Sequence, residues 1–313
     1  MFETRRYKPQ TDSDEWNKFV AESKQGNFLF DRNYMDYHSD RFSDHSLMVY
    51  RRGKLYALLP ANAQGSTLFS HQGLTYGGLI TNEHATADDV CSTFRCINER
   101  LQAEGFHKVV YKAIPHIYHR LPAEEDLYAL FNVLHAQLIE RNISSTVCLQ
   151  HSPKWFRDRH YGANKARTEG ITITESDDLE AFWGILEANL MQTYGAKPVH
   201  SLTEMQLLKS RFPNQIRLFV AMLNGQMLGA TLLYIMPTVV HTQYISASPE
   251  GKRLHALDLL FRHLLEKEFT DWPYFDFGTS NEDHGHILNS SLIYQKEGFG
   301  GRGTCHDIYE WNL

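Results

Sequence analysis

The 313-residue chain is 42% hydrophobic and 22% charged, a composition that supports a sizeable core and leaves room for two ordinary domains. Its net charge of −6 argues against broad nucleic-acid binding, because neutralising phosphates needs a surplus of Lys and Arg. No apolar run approaches the roughly 20 residues of a membrane span, and the opening MFETRRYKPQTDSDEW lacks the apolar core of a secretory signal. Cys91, Cys96, Cys148 and Cys305 have neither zinc-site nor disulfide-scaffold spacing, so we expect a cytoplasmic protein with free thiols and no metal.

A first helix is expected over residues 12–24, with Thr11, Asp12 and Ser13 as cap candidates and Trp16, Phe19 and Val20 at helical spacing. A second is expected over 32–42. Residues 47–50 and 55–59 read as a hairpin turning at Gly53, and 66–79 as strand ends packed closely through Gly73, Gly77 and Gly78. An amphipathic helix over 87–104 ends at Gly105. A strand at 108–113, a helix at 125–141 and a short strand from Val147 to before Pro153 complete the first half.

From Ser176 the same order returns. Helices are expected at 178–194 and 203–211, the second with Thr203 and Gln206 as a capping box. Asn224-Gly225 is a strong hairpin signal between strands 218–223 and 226–234. A strand at 239–247, a helix at 253–269 and a strand at 274–277 follow. Leu47 then corresponds to Leu218, Gly53 to Gly225 and Val109 to Phe275, so the chain reads as a tandem duplication of one α/β unit. The expected division is 1–152, a connecting segment 153–170, and 171–313. Lys154, Arg157, Arg159, Lys165 and Arg167 make that connecting segment a basic island, either a solvated helix or an anion-facing wall.

The stretch 274–307, YFDFGTSNEDHGHILNSSLIYQKEGFGGRGTCHD, reads as strand, polar loop, short helix and strand, with Ile287, Leu288, Leu292 and Ile293 as the helix's apolar face and Gly298 as its left-handed cap. A helix ending Tyr294-x-x-x-Gly298-Phe299 resembles the closing segment of the GNAT acyltransferase superfamily. The Phe275-Asp276-Phe277-Gly278 opening and the Lys296-x-x-Phe299-Gly300-Gly301-Arg302 close are more similar to its FemAB-like branch, which is built from two GNAT-like halves. The resemblance implies an α/β (α+β) fold of tandem duplicated GNAT-like domains, each a mixed, mostly antiparallel sheet flanked by helices, with the active site in the second.

By that resemblance the chain is an N-acyltransferase moving an acyl group, such as acetyl, from a thioester donor like acetyl-CoA to an amine of a small molecule or cell-envelope precursor. An alkyl amine with a pKa near about 10.4 is almost wholly protonated at neutral pH, so a base is needed. Asp276 and Glu282 are the candidates for it, with Asp283 beside them. The resemblance makes Tyr294 the acid for the departing thiolate and Lys296 a handler of phosphate or transition-state charge. For acyl-CoA it points to Gly251, Lys252 and Arg253, at the place of the pyrophosphate turn, and to Asn289; the turn lacks the family's second glycine. Two further readings stay open: a FemAB-type aminoacyl transferase using aminoacyl-tRNA, and an inert GNAT-like ligand-binding protein.

Overall fold

The computed structural model describes residues 2–151 and 154–313; Ser152 and Pro153, where the expected division falls, lie outside the described residues. Two compact units form. The first holds residues 2–142, Asn281–Ile287 and Cys305–Leu313, and the second holds Ile143–Ser280 and Leu288–Thr304. Among the described residues no helix is long and apolar enough to cross a membrane.

In the first unit, β1 (Phe2–Arg6) leads into α1 (Pro9–Glu22), and β2 (Leu47–Arg51) pairs antiparallel with β1 and with β3 (Lys54–Leu59). The β2–β3 turn puts Arg52 and Gly53 at φ 51° and 75°, the mirror-image turn that suits the twist of a hairpin. Next, α2 (Ala87–Ala103) buries Val90, Phe94, Ile97 and Leu101 in a core shared with Tyr111 and Trp311. Beyond it, β4 (Lys108–Lys112) runs parallel to the short strand Thr67–Phe69.

Two expectations here are corrected. The helix foreseen over 32–42 is a single turn, Arg32–Met35, followed by a 3₁₀ turn, Asp36–His38. Asp36, Ser39 and Asp40 are poor interior helix formers, because their short polar side chains compete for the backbone. The helix foreseen over 125–141 is α3 (Glu125–Asn132), and His135, at φ 49°, reverses the chain into the twelve-residue strand β5 (Gln137–Cys148). The β-branched Ile139, Ile143, Thr146 and Val147 suit that strand.

The second unit opens with α4 (Arg157–Thr168), which is what the basic connecting segment becomes. Arg159 on it turns inward, donating to Asp258 at 3.0 Å and lying 5.3 Å from the Phe299 ring. Then come β6 (Thr172–Ser176), α5 (Leu179–Tyr194), α6 (Leu202–Arg211), β7 (Ile216–Leu223), β8 (Gln226–Ile235) and β9 (Val239–Ala247). The chain continues with α7 (Pro249–Arg253), α8 (Ala256–His263), β10 (Tyr274–Thr279), α9 (Ser290–Glu297) and β11 (Arg302–Asn312), whose end returns to the first unit. Strand order in this unit is β6-β7-β8-β9-β10-β5, and only β9 and β10 run parallel. This is the mixed, mostly antiparallel sheet with flanking helices that was expected.

Four local details differ. The capping box is Ser201 with Glu204, two residues earlier than Thr203 with Gln206. The helix foreseen over 253–269 is interrupted, because His255 takes a left-handed φ of 59°, with its Nδ1 paired to the buried Asp258 Oδ2 at 3.0 Å. Ile287 and Leu288 lie outside α9 and are about half exposed, at 51% and 47%. Gly298 is right-handed at φ −58°, and the left-handed glycine is Gly300 at φ 89°. Gly298 serves closeness instead: a Cβ there would lie 2.9 Å from Arg159 Nε.

The core of this unit is aromatic. Phe275 and Phe277 of β10 pack with Phe261, Phe269 and Phe299, and with Val147 and Val240 of the neighbouring strands. Phe275 is fully buried, so Phe275→Ala should cost about 3–5 kcal/mol through lost transfer energy and the cavity left behind. Urea denaturation of the intact chain checks this; a loss under about 1 kcal/mol would contradict the packing.

Candidate active site

Strands β9 and β10 pair at three positions only: Val239 with Tyr274, Val240 with Phe275 and His241 with Asp276. Past that point β9 keeps to β8, and β10 follows β5 through an irregularity between Asp276 and Thr279, where Gly278 takes φ 72°. The two strands therefore part. A cavity of about 360 Å³ is lined by Ile245, Ser246 and Ala247 beyond the last pair on β9 and by Phe277 on β10. Leu257, Phe261 and Phe299 extend its apolar wall, and Asn189, Lys252, Gln295 and Lys296 bring polar groups to it.

Lys296 is the chemical centre of that lining. It is 6% exposed, and its Nζ donates to the carbonyl oxygens of Gly278 at 2.9 Å and Thr279 at 2.7 Å. Both carbonyls lie where β10 leaves its ladder, so they need a donor from elsewhere. An ammonium has three N–H groups, and two are used; the third remains for whatever enters the cavity. Burial pushes the Lys296 ammonium down to about 8, against the pull of Asp276, which raises it. At pH 7 it is still about nine-tenths protonated. It offers one desolvated, positively charged donor.

Asp276 lies behind this, on the opposite side of β10 from Phe275 and Phe277, with no exposed surface. It is held by His241 Nδ1 at 2.9 Å, by Thr146 Oγ1 at 3.0 Å and by the Ser144 hydroxyl.

The other expected residues scatter. Tyr294 is 53% exposed, its ring packs on Phe156, and it is not among the cavity-lining residues. Glu282 is an exposed residue of the first unit. Asn289 caps α9, its Oδ1 accepting the Leu292 N–H at 3.0 Å. Lys252 does line the cavity, bonded to Asn189 Oδ1, whereas Arg253 pairs with Glu250 at 3.2 Å on the surface.

The turn at Gly251 does not fit a pyrophosphate. The Gly251 N–H is already taken by Ser248 Oγ at 3.0 Å and the Lys252 N–H by Ser248 O at 2.9 Å. A side chain at Gly251 would collide with the carbonyl of Leu228, so the glycine is needed for packing and not for a ligand's approach. His241, Asn189 and Gln295 had not been singled out from the sequence. His241 alone carried a signal, as a polar residue inside the apolar strand Val239-Val240-His241.

The first unit has the same parallel pairing, Thr67–Phe69 with β4, but its continuation is filled by its own chain. Ser70 Oγ accepts the Lys112 N–H at 2.7 Å, the Gly77 N–H donates to Lys112 O at 3.1 Å, and Lys112 Nζ donates to Leu74 O at 2.9 Å. The open cavity between parted strands belongs to the second unit.

Comparison with known proteins agrees with this geometry. Residues 156–285 match the model of an acetyltransferase (GNAT) domain. FemX is similar in structure over 99% of this chain and 97% of its own, at a TM-score of 0.70 and 11% identity. L-PGS from Bacillus licheniformis is similar over 97% of this chain and 93% of its own, at 0.61 and 14%. A tandem GNAT protein from the clavulanic acid biosynthesis pathway is similar over 100% and 98%, at 0.53 and 12%. No curated protein sequence matches. The fold is thus the tandem GNAT-like one, and residues 156–285 are a GNAT acetyltransferase domain within it.

The buried ammonium makes a testable demand on stability. Lys296 loses its proton at about 8 when folded and at 10.5 in an ordinary lysine, so between those values the unfolded chain binds more protons. Stability should therefore rise with pH across that window, by on the order of 3 kcal/mol, and the Lys296→Met variant should lack this rise. Urea midpoints measured from pH 7 to 10.5 check it; parallel curves for the two proteins would contradict it.

Proposed function

Because the chain carries a GNAT acetyltransferase domain within the tandem, FemAB-like fold of that superfamily, we propose that it transfers an acyl group from an activated carbonyl donor to the amine of a small molecule or cell-envelope precursor, in the cavity between β9 and β10. The observation that carries this is Lys296: a buried cation with two N–H groups committed and one left, on the wall of an apolar cavity. The amine nitrogen attacks the acyl carbon, negative charge grows on the carbonyl oxygen, and the bond to the leaving group then breaks. The amine loses a proton and the leaving group gains one. Lys296 is the donor to the developing oxyanion or leaving group, a task worth more in a dry site than in water. Phe261, Phe277 and Phe299 exclude that water.

A thioester such as acetyl-CoA is the first donor to test, as GNAT domains use it, and the cytoplasm is the compartment we propose for the reaction. One observation favours a second donor class, an aminoacyl ester such as aminoacyl-tRNA. The turn at Ser248–Arg253 spends the N–H groups of Gly251 and Lys252 on Ser248, which takes those two donors away from a coenzyme's pyrophosphate.

Purified protein offered acetyl-CoA, and separately aminoacyl-tRNA, with a panel of amines should form an amide with one donor. Lys296→Met should lower kcat/KM by about 10²–10³, whereas Tyr294→Phe should stay within about twofold. Full activity of the Lys296 variant with loss in the Tyr294 variant would return the proton-donor role to Tyr294. Silence with every donor, alongside tight binding of a small molecule, would favour the inert binder.

A further inference from the structure

The lining of the cavity between β9 and β10 is sorted by burial. Ala247, Phe261, Phe277 and Phe299 form a floor on which no residue is more than 3% exposed. Leu190 of α5, Ile245 of β9, Leu257 of α8 and Leu292 of α9 are only partly buried, four aliphatic side chains from four elements that line one space. The polar groups sit differently. Lys252 is exposed and bonded to Asn189, and Lys296 is the buried charge of the lining. Among the described residues that line the cavity there is no carboxylate.

Size and charge together restrict what fits. The space is about 360 Å³, whereas an apolar cavity of roughly 150 Å³ already takes a benzene ring. An acetyl methyl would touch little of the floor and leave most of its carbons without contacts. Water is a poor substitute there, since a buried water needs polar partners and the floor side chains are hydrocarbon. A cationic side chain on the acyl group would meet two ammonium groups and no acid, so its charge would be buried uncompensated. A hydrocarbon group meets none of these objections.

We propose that the cavity selects a bulky apolar acyl group, of about six carbons or more, over acetyl and over acyl groups with a cationic end, an inference that rests on the transfer reading above. Leu190, Ile245, Leu257 and Leu292 are its specificity-determining residues. The donor carbonyl takes the remaining N–H of Lys296. That ammonium is bonded to the two carbonyls that follow Phe277 in β10, so the acyl chain starts at the Phe277 end of the floor and runs over the aromatic rings. The bond changes are those of the transfer already described, and only the chain on the acyl carbon is specified further.

The test separates binding from turnover. The full chain is titrated with N-methylacetamide, N-methylbutanamide and N-methylhexanamide, carrier-free mimics of an amide product, while NMR follows the labelled methyl groups of Ile245, Leu257 and Leu292. Each added methylene should tighten Kd about fourfold, on the order of 200-fold from the acetyl to the hexanoyl compound. N-methyl-6-aminohexanamide, with a cationic end, should bind more weakly than N-methylhexanamide. Leu292→Trp, which narrows the cavity, should cut the hexanoyl preference at least about tenfold. A Kd indifferent to chain length, shifts confined to methyl groups outside the cavity, or tighter binding of the cationic compound would each overturn the proposal. The wild-type series decides even if the variant does not fold. With whichever donor class turns over, hexanoyl transfer should exceed acetyl transfer in kcat/KM, and the reverse order would overturn the proposal. No turnover with any donor, alongside the expected binding series, would support the selectivity of the cavity and remove the transfer reading instead.

Discussion

Strands β9 and β10 run parallel for three residue pairs and then separate, and the second unit depends on that separation. Parting strands leave backbone carbonyls without ladder partners, and buried carbonyls must find donors. Gly278 and Thr279 find theirs in the ammonium of Lys296. One local fault in the sheet therefore opens a cavity, fixes a cation on its wall and places a buried carboxylate behind it. Cavity, cation and carboxylate are three results of one backbone event.

The two units solve the same problem differently. In the first, Ser70, Gly77 and the carbonyl of Leu74 fill the space beyond the parallel pair and absorb Lys112, whose ammonium burial also lowers. In the second, no chain segment enters among the described residues, and the lysine arrives from a helix. The duplicated fold has not duplicated the open gap, because the chain that follows Phe69 bonds across it in the first unit.

The family match and the chemistry cover different parts of the molecule. The acetyltransferase domain spans 156–285 and so includes β9, the turn at Gly251 and β10. Lys296 lies beyond its end. The region that should hold a coenzyme's phosphates is self-capped, and the residue with the strongest physical case for chemistry sits in the segment most similar to the FemAB-like branch. Both facts make the identity of the donor a question of local hydrogen bonding and not of fold.

Much of the architecture was legible in the chain. The Asn224-Gly225 hairpin, the strand at Val239–Ala247, the amphipathic helix after Thr86 and the tandem order all follow from local spacing and turn chemistry, which act between near neighbours. The resemblance of Lys296-x-x-Phe299-Gly300 to the FemAB-like branch marked Lys296 as a candidate. What it could not tell was which side of a strand or helix a residue would face once a bulge intervened. Tyr294 and Lys296, two residues apart, were rivals in the sequence; packing half-exposed one and buried the other on two carbonyls. Asp276 looked like a base because acids near a loop can be bases, yet strand alternation turned it away from the cavity and toward His241, thirty-five residues earlier on a neighbouring strand. Such pairings are set by register between distant segments, and the linear order of residues does not contain them.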